Sequence, residues 1–167
     1  VALATVLTMV QKKQETFVEM TDKKIRECLN MLKEDAKPKW GTMSSQHMLE
    51  HLDFTYRIAS GELQDFDIKT PEKILEKVHN TLYNYDKMPK ERMFPLTEES
   101  NINELKLGSF EEAKLRFVES RNAYLEFFKE NPDAIIKNAV FGEMNRYEWY
   151  LIERKHLNHH FEQFGLI

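Results

Sequence analysis

Apolar residues in this chain recur at intervals of three and four rather than alternately, which places most of it in amphipathic helices. Ile25, Cys28, Leu29 and Leu32 share one face of a first helix, predicted from about Thr21 to Asp35 with Pro38 just past its end. A second helix begins near Ser44, a good N-cap, and turns Met48, Leu52, Thr55 and Ala59 inward before Gly61. A third opens at Thr70-Pro71, with proline in the first turn and Ile74, Leu75, Val78 and Leu82 as its stripe. The fourth starts with Ser109-Phe110-Glu111-Glu112, a capping box, and buries Phe110, Ala113, Phe117, Tyr124 and Phe128. The last is capped by Asn145 with Glu148 three residues on, turns Trp149, Ile152, His156 and Leu157 inward, and stops at Gly165 in the C′ position.

No segment carries a strand pattern, and the five glycines and five prolines fall between the periodic stretches. The segment from Pro89 to Gly108 reads as a long connection, of the kind that crosses a bundle end. Leu3, Val6, Leu7, Val10 and Phe17 allow a further helix within residues 1–20, which form an extension to a single helical-bundle domain over 21–167. The expected fold class is all-α, a bundle with additional short helix or helices.

Composition narrows the partners. Twenty-four basic residues against 28 acidic leave no basic field for nucleic acid. No run of apolar residues is long enough for a membrane span. The apolar opening Val1–Leu7 lacks the basic leader of a signal peptide, and a single cysteine suits a reducing compartment, so a cytoplasmic location is expected.

The residues that suggest chemistry stand at the end of the last helix. Three of the six histidines fall in His156-Leu157-Asn158-His159-His160. Histidines four apart lie on one helix face, so His156 and His160 can grip one ion, and His51, at an inward position of the second helix, can supply a third imidazole. Three neutral imidazoles leave one side of a metal open, which is the catalytic rather than the structural arrangement. They also leave the ion's charge uncompensated, which favours an anionic partner such as hydroxide or thiolate. Spacing alone leaves His159 and His160 as alternatives, and zinc and nickel are the divalent ions expected.

A histidine midway along the second helix, in Met48-Leu49-Glu50-His51-Leu52, followed by a terminal His-x-x-His-His cluster, resembles the DinB/YfiT-like superfamily of four-helix-bundle proteins. The likeness is nearest to a subgroup of DinB-like proteins of uncharacterised activity. It rests on Trp40-Gly41-Thr42-Met43-Ser44, on Asn138-Ala139-Val140-Phe141-Gly142-Glu143-Met144 and on the ending from Lys155 to Gly165, and spans residues 21–167. The resemblance implies a divalent metal on His51, His156 and His160. It also implies an enzyme acting on a small molecule, either a hydrolase or a transferase using a low-molecular-weight thiol, and a homodimer is plausible for a small bundle of this family. The alternative is a non-catalytic binding or interaction module held together by its metal.

Several other residues invite a role. His47, one turn before His51, reads as a partner or proton relay to it, or as a polar residue at the bundle mouth. Glu153 reads as a general base or as an exposed carboxylate. Cys28 reads as a small core hydrophobe and Tyr147-Glu148-Trp149-Tyr150 as core and pocket wall. His79 has no partner at helical spacing and is assigned nothing.

Overall fold

Among the described residues, four of the five α-helices begin where a polar cap residue directs them to. A computed structural model of the chain describes residues 16–90 and 104–167. Most of the expected helix within 1–20, and the middle of the Pro89–Gly108 connection, lie outside the described residues. Helix α1 (Asp22–Met31) follows Thr21, whose side chain accepts from the Lys24 N–H. Helix α2 (Ser45–Ala59) follows Ser44, which accepts from the His47 N–H. Helix α4 (Phe110–Glu130) follows Ser109, and α5 (Arg146–Gln163) follows Asn145 with a complete capping box through Glu148. Each cap satisfies an N–H that the first turn leaves without an intrahelical partner.

Three details depart from the sequence reading. Helix α1 ends at Met31 rather than near Asp35, because Leu32 turns extended (ψ 122°) and buries its side chain, carrying the chain off the helix axis. At α4, Ser109 Oγ accepts from the Glu112 N–H, but the Glu112 carboxylate returns to the Gly108 N–H, so the capping box is offset by one residue. Pro71 stands at the N-cap of α3 (Glu72–Asn80) and not in its first turn. That helix lies at the periphery: Ile74 is exposed, Leu75 and Val78 are half-buried, and only Leu82, in the 3-10 turn Thr81–Tyr83 that follows, is buried.

The larger correction is a sheet. Strands β1 (Ile136–Asn138) and β2 (Gly142–Met144) pair antiparallel with Asn138 opposite Gly142. Three-residue strands are too short to show alternation, which is why the pattern concealed them. Asn138 Oδ1 accepts from the Val140 and Phe141 N–H groups, and Gly142 adopts a positive φ of 81°, so the three-residue loop closes on residues suited to turns. Gln64 bonds both backbone groups of Lys137 on the outer edge of β1, and Trp149 Nε1 donates to the Ile136 carbonyl, binding the hairpin to α5.

The described residues are thus mostly helical, as an all-α class expects, with one small sheet in addition. One apolar core runs through them, with α2 against α4 as its widest helix contact; there Tyr56 meets Phe117 and Tyr124 with ring centroids 6.0 and 5.2 Å apart. Cys28 is fully buried in that core, as expected. The C-terminus of α5 closes in a Schellman motif, with Gly165 N–H bonded to the Glu162 carbonyl and Leu166 N–H to that of Phe161. The segment before α1 is clamped by buried Asn158, whose amide donates to the Val18 carbonyl and accepts from the Val18 N–H. No helix among the described residues is long and apolar enough to cross a membrane.

Candidate metal centre

The inward phase of α2 and the last turns of α5 bring together the three histidines singled out in the sequence. His51 Nε2 lies 2.8 Å from His156 Nε2, which lies 3.0 Å from His160 Nε2. The ring centroids form a nearly equilateral triangle with sides of 4.8, 5.0 and 4.7 Å. One nitrogen from each of the three lies within 4.8 Å of the others, close enough to hold a metal ion. His159 stands outside this triangle, with its ring edge-on to His160 and to Trp40.

All three rings are held neutral. Burial depresses the pKa of each, taking His156 down to about 4, and the neighbouring imidazoles push His51 and His160 further the same way. Neutral imidazole is also the form that binds metals.

Gln163 fixes which nitrogen of His160 carries its proton. Its Nε2 donates to the Trp40 carbonyl at 2.9 Å, which leaves Oε1 facing His160 Nδ1, also at 2.9 Å. An amide oxygen only accepts, so Nδ1 bears the hydrogen and the lone pair of the ring sits on Nε2, aimed at His156. His156 Nε2 therefore faces two neighbours with either one lone pair or one proton to offer. Neutral rings cannot make both contacts as linear hydrogen bonds, whereas a cation among them would receive all three lone pairs. The donor set thus fits a divalent ion. A tetrahedral ion with nitrogens at roughly 2.0–2.1 Å needs them about 3.3 Å apart, a few tenths more than the two separations here.

The surroundings revise several expectations. Glu153 is not exposed: it is buried, its Oε2 has no hydrogen-bond partner, and burial raises its pKa to about 8. Nor does that oxygen face the cluster. It lies 3.9 Å from His156 Nδ1, the nitrogen turned away from the other rings, so Glu153 backs the site and is not placed beside the three converging Nε2 atoms. His47 bonds Ser44 Oγ through Nδ1 at 2.6 Å, while its Nε2 is buried without a partner. In the aromatic run Trp149 is core, but Tyr147 and Tyr150 are exposed. His79, assigned nothing from sequence, pairs with Glu148 at 2.7 Å. Gln163 carried no sequence signal beyond lying one turn past His160.

No family model, curated protein or solved structure matches the chain.

Proposed function

We propose that this protein is a metal-dependent enzyme of the DinB/YfiT-like four-helix-bundle type. In this reading His51, His156 and His160 hold one divalent ion, zinc or nickel. The observation that carries it is the convergence of three neutral rings through Nε2, one of them with its lone pair fixed by Gln163. An ion so held supplies Lewis acidity and lowers the pKa of a water or thiol brought beside it. The protein's own groups do the rest: the imidazoles stay deprotonated through burial, and Gln163 orients His160. A small molecule, hydrolysed or joined to a low-molecular-weight thiol, is the substrate class the resemblance suggests, and the single cysteine, the buried Cys28, agrees with a reducing, cytoplasmic setting.

One observation favours a second reading, a binding or interaction module whose ion fastens α2 to α5. His156 and His160 are buried, and the nearby cavity of about 30 Å³ is lined by Trp40, Lys155 and His159 rather than by any of the three candidate ligands. The test is metal analysis of protein purified without an affinity tag, then a hydrolysis and thiol-transfer screen of wild type beside His160→Ala. Stoichiometric metal with turnover that His160→Ala abolishes supports the enzyme; metal without turnover, with a large fall in Tm on chelation, supports the module. Absence of bound divalent ion in the wild type, after exposure to zinc and nickel, defeats both.

A further inference from the structure

Gln163 stands at a junction. It is buried, lies in the last turn of α5, and makes three hydrogen bonds, two of which orient its amide. Its backbone carbonyl accepts from the Lys39 N–H at 2.7 Å, its Nε2 donates to the Trp40 carbonyl, and its Oε1 accepts from His160 Nδ1. The turn that supplies the first two partners is shaped around it. Gly41 has a positive φ of 73°, and a Cβ there would come within 3.2 Å of Gln163 Nε2. A side chain at position 41 would therefore strain the backbone and press on the amide together. Were the amide reversed, its NH2 would meet His160 and its oxygen would meet the Trp40 carbonyl, setting two acceptors against each other.

Building on the metal reading above, we propose that Gln163 is the positioning residue of the site: anchored by the Trp40–Gly41 turn, it locks His160 in the Nδ1–H tautomer with the Nε2 lone pair directed at the ion. The Trp40–Gly41 turn and the His160 ring then form one mechanical unit, so displacement of that turn alters the metal site although no residue of the turn touches the ion. Glu153 occupies the corresponding place behind His156, but at 3.9 Å it is too distant for a hydrogen bond. His51 Nδ1, buried, has no partner at all. The ordering of the site thus enters through His160.

The test uses two readouts on the full chain. Nitrogen-15 chemical shifts of the histidine rings in metal-free protein report the tautomer, and competition titration with zinc, with the visible spectrum of the cobalt-loaded form, reports affinity and geometry. In wild type, His160 is expected as Nδ1–H. Gln163→Met, which keeps length and loses both amide functions, is expected to mix the tautomers and weaken zinc by roughly 10–100-fold, the usual cost of losing an outer partner of a ligating histidine. Gln163→Glu, which keeps an acceptor opposite Nδ1 but sets its second oxygen against the Trp40 carbonyl, is expected to retain the tautomer and recover only part of the affinity. Gly41→Ala, which displaces the amide without removing it, is expected to fall between, and decides the matter if Gln163→Met does not fold. Wild-type tautomer and affinity in a folded Gln163→Met, or in Gly41→Ala where the former fails to fold, overturns the proposal. If wild type binds no zinc while the tautomer still depends on Gln163, the metal reading alone fails and the lock stands.

Discussion

Two histidine environments in this fold differ in what stands opposite each ring nitrogen. In the α2–α5 cluster nitrogen faces nitrogen, and the rings, two of them buried and His51 half-buried, are neutral and short of protons. At His79, oxygen faces both nitrogens: Nδ1 lies 2.7 Å from the Phe141 carbonyl and Nε2 2.7 Å from the Glu148 carboxylate. Two acceptors are best met by two donors, so the folded site favours the imidazolium form of His79. Tyr83 donates to the same Glu148 oxygen, whose carboxylate partner caps α5 through the Asn145 N–H. One side chain is thus stabilised in its charged form, fastening α3 and the hairpin to α5, while three others lie close enough to hold a cation. Partial burial works against the charge on His79, but the bonds to Glu148 and Phe141 outweigh it and raise its pKa. At His79 the opposing oxygens decide the outcome, whereas in the cluster burial comes first and, for His51 and His160, the neighbouring rings add to it.

The contrast is broken most severely at His156, the ring shared by both short contacts. His156→Leu should weaken zinc by more than the roughly 100-fold upper range of an outer-partner loss, measured by competition titration. The same change should leave the Tm of the metal-free protein level or raised, because an apolar side chain removes the contact that neutral rings cannot complete. A marked fall in metal-free Tm would show that the apposed rings are stabilising in themselves. On the other side of the comparison, His79→Gln should cost about 1–3 kcal/mol in denaturant unfolding near pH 6, since it exchanges charged for neutral hydrogen bonds.

The two environments also predict opposite dependence on pH. His79 holds its proton more tightly folded than unfolded, so its contribution is complete below about pH 6.5 and drains as pH rises through the higher folded value. The gap between wild type and His79→Gln should therefore narrow as pH rises from there. The cluster rings bind protons less tightly when folded. Metal-free wild type should lose stability as pH falls through about 6.5 toward the value near 4 of His156, and His156→Leu should lose less over that span. Parallel curves for all three proteins would contradict this. The smallest effect belongs to His159→Ala, expected to change zinc affinity by no more than about twofold, because that ring lies outside the triangle.

How much of this the sequence revealed depends on the range of the interactions. Caps act over three residues, and Thr21, Ser44 and Asn145 sit where the pattern put them. His156 and His160 are one helical turn apart, and His51 could be added because its neighbours gave the inward phase of α2. His79 was illegible because its partners lie 62 and 69 residues away, on elements whose placement no local pattern encodes. The burial of Glu153 was missed because on a helix buried around most of its circumference, as α5 is, polar residues no longer mark the outer face. The three-residue strands were too short for any periodicity to register.

The clamp of Asn158 on Val18 joins positions 140 apart in sequence, and His51 meets His156 across 105. Bringing such distant segments together must overcome loop-closure entropy before either contact gives anything back. Both contacts converge on one stretch of α5, and the three-imidazole face forms only when the segments of α2 and α5, 105 positions apart, have met. Ion capture would then serve as a clock for folding: in a stopped-flow refolding experiment, cobalt absorbance should rise with the slowest phase.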